Sequence, residues 1–600
     1  MNAPDPIEPA VECERRANGE IILRCPFEPG TPPKNLAQLL IDRAAEVGDR
    51  TLVAERDGDG WSHLTYADAL AGARAIAQWL IDRGAGENTP LAILTGSSIK
   101  HFLMAWGAIL ARVPVVPVST SYSMVRGAWP KLEAVLQTVE PVFLFAEHPE
   151  TTAPALEAID FDLANRVIID GSDEDAWRAM IATGATDAVD DSIAQIDHDT
   201  VARYMFTSGS TGMPKGVIVT HGMTCHMIAS SSGMRDTPDL SVETRVLDWM
   251  PWSHVGAGVM RIGSMINAGG SIYLDTGKPV PGEFDKTLEN IRSVGPTQFG
   301  GAPLGWSMLV DALEQDDAFA ADFFANIRSM QFGSAAMAPS LAERIRALCV
   351  RYLGQELPMG TSLMSTEVHV GISRYWPCDR HEVMGLPVPS CELKLLPLGD
   401  KYELRVRSPG VTPGYLNDPG KTADSFDEEG FFKMGDAVRF ADDDDPAQGL
   451  IFAGRVAEEF KLVSGTWVSA GTLRSQAIAA ASPLVRDVVV CGLNRDYVAL
   501  LIWPNLAACE SLAGSPDAGE VVKSAAVKER ILEALAQHNA QNPGSSTAIR
   551  RFLLLAELPD PGAFEITDKG YINQRAVQER RAEDVERLFA AEPDAEVVVV

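Results

Sequence analysis

The residues with the clearest chemical potential form a single run, Thr207-Ser208-Gly209-Ser210-Thr211-Gly212-Met213-Pro214-Lys215-Gly216-Val217. Its glycines allow backbone N–H groups to converge on an anion, its hydroxyls offer further donors to phosphate oxygens, and its lysine adds a mobile positive charge. The run therefore predicts a loop that binds the triphosphate of ATP. The residues expected to contact ATP are Thr207, Ser208, Gly209, Ser210, Thr211, Gly212 and Lys215.

The loop does not follow the Walker A pattern of P-loop NTPases. That pattern ends in Gly-Lys-Ser/Thr at the mouth of a helix, whereas Lys215 is preceded by Pro214 and followed by Gly216, so no hydroxyl is placed to ligate magnesium. The flanks at 203–207 and 217–220 are apolar and β-branched, which predicts that the loop joins two strands. A flexible Ser/Gly linker is the alternative, but a linker has no need of Pro and Lys at fixed places between strands.

The elements that must position this loop are predicted from the hydrophobic pattern. Up to about residue 452, strand-like apolar runs alternate with amphipathic helical stretches such as 66–83. This alternation predicts an α/β fold with a large multi-layer N-terminal domain and mostly parallel sheets. Beyond residue 454, two short strands and a helix at 527–542 indicate a separate small α+β domain. The apolar end at 597–600 predicts either a frayed tail or an edge strand.

Composition narrows the class of protein. The chain has 600 residues, more than one ordinary core holds, and its formal net charge of −31 argues against a nucleic-acid partner. Polyanionic ligands must therefore be met by specific lysines and arginines in local pockets. The eight cysteines form no CxxC pair, and neither a basic leader nor a long uncharged apolar run occurs. These features predict a reduced, cytoplasmic protein without an integral membrane segment.

The loop at 207–217 resembles the signature of the adenylate-forming, or AMP-binding, superfamily, which includes acyl-CoA synthetases, luciferases and peptide-synthetase adenylation domains. The resemblance implies an acid:CoA ligase that uses ATP, Mg²⁺ and coenzyme A. The carboxylate of a small-molecule acid would attack the α-phosphate and release pyrophosphate, and coenzyme A would then displace AMP from the acyl-adenylate. It also implies that the small C-terminal domain is mobile and rotates between the two steps.

The resemblance assigns catalytic roles to residues that match family motifs. His254, in Pro251-Trp252-Ser253-His254, would form a gate between the acid pocket and the nucleotide. Thr366 and Glu367 match the end of the family's aromatic-Gly-x-Thr-Glu motif, so Thr366 would act at the reacting groups and Glu367 would hold Mg²⁺. Lys569, near the C-terminus, would be the lysine that assists adenylation.

Further matches outline the nucleotide and acid pockets. Asp436 would accept hydrogen bonds from the two ribose hydroxyls, because a carboxylate offers two acceptor oxygens, and Arg455 would reach ribose or phosphate. Leu363 and Met364 stand where the family has an aromatic residue and a glycine. The residues expected to line the adenine and acyl pocket are Gly333, Ser334, Ala335, Leu363, Met364, Val255 and Phe299.

A hinge is implied by the segment 454–461. Glu458 occupies the pivot position of the family, and Lys461 and Gly465 would belong to the conformation that forms the thioester. The implied organisation is an AMP-binding domain at 1–454, a hinge at 455–458 and a lid domain at 459–600. The oligomeric state is expected to be a monomer or a homodimer.

A finer resemblance, to feruloyl-CoA synthetases, rests on segments 119–123, 249–254, 273–279 and 455–469 and extends over most of the chain. It implies an aromatic or hydroxycinnamic acid such as ferulate. Other readings stay open: a fatty or amino acid as substrate, a carrier-loading adenylation unit, a luciferase-like oxygenase, or a non-catalytic nucleotide-binding protein. The charged set Lys215, Glu367, Asp436, Arg455 and Lys569 argues against the last of these.

Overall fold

The structure is a computed structural model, and the residues that it describes are 7–208, 213–234, 239–279, 282–333, 337–560, 563, 565–566 and 572–600. Several residues with expected roles lie outside the described residues: Gly209, Ser210, Thr211, Gly212, Ser334, Ala335 and Lys569. The eight cysteines are all free thiols. Among the described helices, none is long and apolar enough to cross a membrane.

The strands of the described residues alternate with helices over the first two thirds of the chain. The strands are β1 (Glu12–Arg15), β2 (Ile21–Arg24), β3 (Thr51–Asp57), β4 (Gly60–Thr65), β5 (Leu91–Ile93), β6 (Val115–Pro117), β7 (Phe143–Ala146), β8 (Val167–Asp170), β9 (Val201–Ser208), β10 (Pro214–Thr220), β11 (Arg245–Asp248), β12 (Ser271–Leu274), β13 (Gln298–Gly301), β14 (Ser329–Phe332), β15 (Met359–Gly360), β16 (Ser362–Leu363), β17 (Ile372–Ser373), β18 (Val383–Pro387), β19 (Glu392–Leu398), β20 (Lys401–Arg407), β21 (Phe432–Phe440), β22 (Leu450–Arg455), β23 (Glu459–Lys461), β24 (Trp467–Ser469), β25 (Val485–Cys491), β26 (Val498–Pro504), β27 (Ile549–Leu554) and β28 (Val598–Val599).

The helices cover the faces of the sheets. They are α1 (Leu36–Val47), α2 (Tyr66–Ile81), α3 (Ile99–Leu110), α4 (Thr120–Met124), α5 (Trp129–Val139), α6 (Pro149–Ala158), α7 (Glu174–Ile181), α8 (Asp187–Ala194), α9 (His221–Gly233), α10 (Ile262–Asn267), α11 (Phe284–Val294), α12 (Pro303–Gln315), α13 (Asp317–Asn326), α14 (Pro339–Leu353), α15 (Pro419–Ser425), α16 (Ala470–Ala480), α17 (Leu506–Ala513), α18 (Ala518–Lys523), α19 (Ala525–Gln541), α20 (Gln574–Arg580) and α21 (Ala582–Phe589). Short helical turns of other types lie at Arg126–Ala128, Gly256–Arg261, Pro446–Gln448 and Val456–Glu458.

Two sheets of the large N-terminal region are mostly parallel, as the strand–helix alternation predicts. The first has the strand order β10-β9-β6-β5-β7-β8, and the second has the order β15-β14-β13-β11-β12-β3-β4. In each of them a single antiparallel strand stands at one edge, β10 in the first and β4 in the second. The α/β prediction is therefore confirmed, and parallel strands of this kind bring several loops to one sheet edge.

A third, nine-stranded sheet is antiparallel throughout. Its order is β1-β2-β19-β20-β21-β22-β18-β17-β16. The N-terminal hairpin of β1 and β2 pairs with β19, so residues more than 350 positions apart share this sheet. Local hydrophobic periodicity carries no information on such distant pairing, which is why the sequence predicts the strands better than the sheet to which they belong.

The C-terminal region has its own buried clusters. One contains Phe460, Leu473, Val488 and Ile531, and a second contains Trp503 and Leu588. The apolar end of the chain forms β28, which pairs antiparallel with β27, so the edge-strand alternative is the correct one.

Candidate active site

The candidate residues gather at the carboxyl edge of the second sheet. Strands β15, β14, β13 and β11 are parallel neighbours, so the chain leaves each of them on the same side. The segment to His254 follows β11, Phe299 lies on β13, Gly333 follows β14 and the segment to Glu367 follows β15. The Gly333 backbone N–H donates to the Gly301 carbonyl oxygen at 3.3 Å, which joins two of these exits. Ligands of open α/β sheets bind at such an edge.

The expected phosphate loop connects two antiparallel strands, as its flanks predict. Strands β9 and β10 pair antiparallel, with Ser208 opposite Pro214 and Thr207 opposite Lys215. Lys215 is half-buried. The antiparallel pairing confirms that a strand, not a helix, follows the loop and separates it from the Walker A arrangement.

Glu367 is tied to this hairpin by Tyr415. The Tyr415 hydroxyl donates to Glu367 Oε1 at 3.0 Å, and the Thr412 N–H donates to the Glu367 carbonyl oxygen at 2.8 Å. Tyr415 also forms an antiparallel bridge with Val217 of β10. Beside this bridge, the Leu416 N–H donates to the carbonyl oxygen of Gly216 at 2.8 Å. Burial and the charge of Glu367 raise the pKa of Tyr415, so the hydroxyl keeps its proton and remains a donor.

The residues around Glu367 differ in exposure. Thr366 is buried at 6% exposure, whereas Met364 is 40% exposed. Leu363 lies opposite Ile372 in the antiparallel pair of β16 and β17. The Val368 N–H donates to the Ser365 hydroxyl at 3.1 Å, which holds the turn that presents Glu367. The segment is therefore a fixed support for a carboxylate.

His254 lies in a turn that fixes its ring. The Gly256 N–H donates to His254 Nδ1 at 3.1 Å, and the Gly258 N–H donates to the His254 carbonyl oxygen at 2.8 Å. Because Nδ1 accepts a hydrogen bond, the neutral ring carries its proton on Nε2. The preceding Trp252 N–H donates to the Ser97 hydroxyl at 3.2 Å, which connects this segment to the loop after β5 of the first sheet.

The glycines after His254 are required by close backbone approach. A Cβ on Gly258 would lie 1.9 Å from the Trp252 carbonyl oxygen, and a Cβ on Gly256 would lie 3.1 Å from His254 Nδ1. Residues Gly256–Arg261 form a π-helical turn, a feature that is frequent at functional sites. Val255 is buried at 3% exposure in the core beside the first sheet. The glycines thus permit the close backbone contacts that shape the turn around His254.

An apolar pocket lies beside Phe299. Phe299 makes edge-to-face contacts with Trp306 and Phe323, at centroid distances of 5.0 and 6.0 Å. The carboxylate of Asp275 at the pocket accepts hydrogen bonds from Gly277, Thr287 and Asn290, so it is satisfied by the protein itself. The lining residues are Leu247, Trp249, Asp275, Pro279, Phe284, Thr287, Phe299, Gly300, Gly301, Ala302 and Gly305.

Asp436 and Arg455 face each other across the antiparallel sheet. They are opposite residues of β21 and β22, and Arg455 Nε lies 3.3 Å from Asp436 Oδ1. The side chain of Asp436 is 5% exposed and that of Arg455 is 60% exposed. A buried carboxylate beside an exposed guanidinium suits a ribose with attached phosphate.

The expected hinge is a single short helical turn, Val456–Glu458, between β22 and β23. Glu458 is exposed, and the next residue, Glu459, forms an ion pair with Lys401 of the nine-stranded sheet. Lys461 stacks its ammonium over Trp467 at 4.7 Å from the ring centroid, and Gly465 has a φ of +83° in the turn between β23 and β24. A positive φ is a conformation that favours glycine.

Lys569 lies outside the described residues, but the residues on either side of its segment are described. Ile566 and Ile572 form an antiparallel bridge on either side of it. The adjoining Glu565 is fully buried and accepts hydrogen bonds from Arg580 at 2.7 Å and from Arg581 at 2.7 Å. The two arginines therefore anchor the point from which the lysine segment starts.

Comparison with known proteins decides the family. The family model for the AMP-binding enzyme matches residues 40–416, and the model for the AMP-binding enzyme C-terminal domain matches residues 461–593. The chain belongs to the AMP-binding enzyme family. Within the described residues of this AMP-binding enzyme, no group of three or more His, Cys, Asp or Glu side chains could hold a metal ion.

Relatives of this AMP-binding enzyme span several activities. It is 26% identical to a carboxylic acid reductase of Mycobacterium tuberculosis over 61% of the chain and 31% of that protein, and 24% identical to the long-chain-fatty-acid–CoA ligase FadD15 of Mycobacterium bovis over 96% of the chain and all of that protein. The chain spans about a third or less of the length of the first curated relatives that it matches.

Solved structures share the fold. The adenylation domain of a carboxylate reductase from Mycobacterium chelonae has a TM-score of 0.70 at 20% identity, with 92% of this chain and 91% of that chain covered. ATP-bound MatB from Rhodopseudomonas palustris has a TM-score of 0.69 at 19% identity, with 91% and 98% covered. The predicted fold is therefore confirmed.

The sequence did not point to every residue that shapes the site. Tyr415 and Ser97 have no motif that marks them, because their contacts with Glu367 and Trp252 are tertiary. Asp248, at 7% exposure, forms an ion pair with Arg261 at 2.9 Å and accepts from the Met250 N–H at 3.1 Å. In the sequence, a charged residue at the end of an apolar strand is the one feature that could have marked Asp248 as a residue with a buried partner.

Proposed function

We propose that the protein is an ATP-dependent, AMP-forming carboxylic acid:CoA ligase that works through an acyl-adenylate. The observation that supports it best is that Tyr415 contacts both Val217, two residues beyond Lys215 on the phosphate hairpin, and Glu367, whose segment follows β15 as those of His254 and Gly333 follow β11 and β14. The proposal combines a cation on the first sheet with a carboxylate and an apolar pocket at the edge of the second. That combination suits the joining of a triphosphate to an apolar acid.

In the first step, a carboxylate oxygen of the acid attacks the α-phosphorus of ATP, and the bond to the bridging oxygen of the β-phosphate breaks. Both partners are anionic, so the main tasks of the protein are positioning and charge neutralisation. Lys215 and the loop 207–212 hold the leaving pyrophosphate, and Lys569 approaches the reacting oxygens. His254 separates acid from nucleotide.

A single carboxylate at this place fits magnesium. Mg²⁺ is commonly bound through one or two protein carboxylates together with phosphate oxygens and water. Glu367 is held by Tyr415 at one oxygen, so its remaining lone pairs are left for a cation. When bound, Mg²⁺ would offset negative charge on the triphosphate.

In the second step, the sulfur of coenzyme A forms a bond to the acyl carbon and AMP leaves, while the thiol proton passes to solvent. We assign this step to a rotated arrangement of the region 459–600 about the hinge 455–458, with 1–454 as the AMP-binding domain. Lys461 and Gly465 would enter the site in that arrangement. The turn Val456–Glu458 is short and lies between two strands, which suits a hinge.

The acid is proposed to be aromatic, with a hydroxycinnamic acid such as ferulate as the leading example. The residues around Phe299 include Trp249 and Phe284 and are mostly apolar, and it is this chemistry that favours an aromatic acid. A fatty acid, or an amino acid loaded on a carrier as in the peptide synthetases among the relatives, is the competing proposal. The cytoplasm is the proposed location.

A panel of acids tests the proposal. Release of AMP is measured for hydroxycinnamic, benzoic, fatty and amino acids, with and without coenzyme A. The proposal predicts release that depends on coenzyme A and is highest with an aromatic acid. Sustained AMP release with amino acids that does not respond to coenzyme A would contradict it and support carrier loading.

A further inference from the structure

A small internal cavity lies outside the proposed catalytic centre, between α3, β9 and the turn after Trp252. It has room for about one water-sized particle. Its lining residues are His101, Phe102, Ala105, Trp106, Pro117, Arg203, Trp252, Gly258 and Ile262. Most of them are apolar, and Arg203 is the one residue among them with a guanidinium group.

Arg203 is a buried charge without an acidic partner. It lies on β9 in the middle of the first sheet, opposite Val115 of β6 and Val219 of β10, and is 4% exposed. It forms no hydrogen bond through its side chain and no ion pair with any residue that the structure describes. Burial lowers the pKa of Arg203 only to about 10, so the guanidinium is charged at neutral pH.

The surroundings of Arg203 increase the cost of that charge. His101, His221 and His369 are buried near it. Burial, together with the positive charge of Arg203, lowers the pKa of His101 to about 4 and the pKa values of His221 and His369 to about 3. These rings are therefore neutral and supply no negative charge. An ion placed in a low-dielectric interior without a counter-charge is strongly destabilising.

A second residue that lines the cavity, Trp106, has a buried donor without an acceptor. Trp106 is 1% exposed, and its indole Nε1–H has no hydrogen-bond partner among the described residues. The ring itself is fixed by stacking on Phe102 at a centroid distance of 5.5 Å. Buried donors of this kind are ordinarily satisfied, so an orphaned one calls for an acceptor that the protein does not provide.

We propose that this cavity binds a small monovalent anion of about the size of chloride, held by the guanidinium of Arg203 with the indole N–H of Trp106 as a second donor. An anion accepts both hydrogen bonds and also neutralises the buried charge, whereas a water molecule does only the first. The small volume of the cavity favours such an anion over a larger one such as phosphate.

The position of the site gives it a consequence for the neighbouring segment. Trp252 and Gly258 line the cavity, and they bracket the turn in which His254 is held. The anion therefore stabilises the backbone that carries His254. The binding site itself does not depend on the ligase proposal, and it can be tested without any substrate.

The first test is crystallographic. Crystals of the full chain are soaked in sodium bromide, and anomalous scattering is recorded at the bromine edge. The expected result is a bromide within hydrogen-bond distance of the Arg203 guanidinium. A cavity that holds only water, or an ion elsewhere but not here, overturns the proposal.

The second test measures thermal unfolding of the full chain in sodium chloride against sodium gluconate at constant ionic strength, since gluconate is too large to enter. The midpoint of the wild type should rise by about 2 °C for each tenfold increase in chloride above its dissociation constant. Arg203→Met should lose this dependence, while Arg328→Met, on the exposed Arg328, should keep it. A wild type that does not respond to chloride overturns the proposal even if bromide binds in the crystal.

A third variant guards against failure of Arg203→Met to fold. Trp106→Phe keeps an aromatic ring but removes the indole donor, so it should weaken the dependence on chloride without abolishing it. An unchanged dependence in Trp106→Phe would remove Trp106 from the site. In gluconate, Arg203→Met should unfold at a higher temperature than the wild type, because it no longer buries an uncompensated charge.

Discussion

At the scale of single residues, the contact of Tyr415 with Glu367 is the most informative. A carboxylate that is to hold a cation must be fixed in direction without being neutralised. A neutral hydroxyl achieves this, since it donates at 3.0 Å and brings no positive charge. Because the Tyr415 hydroxyl is neutral, Glu367 keeps its full negative charge for a cation. The net charge of −31 on the chain also favours binding of a cation.

Replacement of Tyr415 tests this contact. We expect Tyr415→Phe to raise the Mg²⁺ concentration needed for half-maximal activity by about fivefold, equivalent to about 1 kcal/mol, because one hydrogen bond to a carboxylate is lost. The measurement is a magnesium titration of AMP formation. Tyr402→Phe is the matched control, since the Tyr402 hydroxyl has no hydrogen bond to any residue that the structure describes and the ring packs edge-to-face against Phe440. An unchanged magnesium requirement in Tyr415→Phe would separate Tyr415 from the metal site.

At the scale of elements, Glu565 and its two arginines hold the start of the segment that carries Lys569. Burial by itself would raise the pKa of Glu565, but hydrogen bonds from Arg581 and from the Asp560 N–H, with the nearby charges of Arg581 and Arg580, outweigh it and lower the pKa. The folded state therefore favours the charged carboxylate.

The sign of the pH effect follows from that direction. A lowered pKa contributes stability above the unfolded value of about 4.3, and the contribution is lost as pH falls through the folded value. We expect Glu565→Gln to lower the free energy of unfolding by about 2 kcal/mol at neutral pH, with the difference shrinking below about pH 4. Thermal unfolding against pH measures it. Glu579→Gln, in an exposed pair with Arg575, should change little at any pH.

The elements also show what the sequence can predict. The hairpin of β9 and β10 follows from apolar flanks around a glycine-rich turn, and β25, β26 and α19 follow from local periodicity. The pairing of β2 with β19 and the bridge of Val217 to Tyr415 do not, because both join segments that are far apart in the chain. Motif residues could therefore be found from the sequence, whereas Tyr415, Glu565 and Arg203 required tertiary contacts.

At the scale of the whole molecule, an ion pair links the two regions. Lys401 on β20 belongs to the nine-stranded sheet, its Nζ donates to the Ala453 carbonyl oxygen at 3.0 Å, and it pairs with Glu459 at the start of β23. The side chains of Lys401 and Glu459 are 11% and 5% exposed, so this pair is shielded from water. A rotation about Val456–Glu458 would have to break it.

We therefore expect Lys401→Met to loosen the hinge. Hydrogen exchange of the amides at 456–461 should become about fivefold faster, which corresponds to about 1 kcal/mol of lost local stability. Lys523→Met, which removes an exposed lysine from the same C-terminal region, is the control and should leave exchange at the hinge unchanged. Equal exchange in all three proteins would show that the pair does not restrain the hinge.

The central claim is that an acyl-adenylate forms before coenzyme A is used, and acid-dependent exchange of labelled pyrophosphate into ATP tests it most directly. The account predicts exchange in the absence of coenzyme A when an aromatic acid is present, and its loss in Lys569→Ala with ATP binding largely retained. If no acid in the panel supports exchange without coenzyme A, although the thioester is still formed, the account is contradicted.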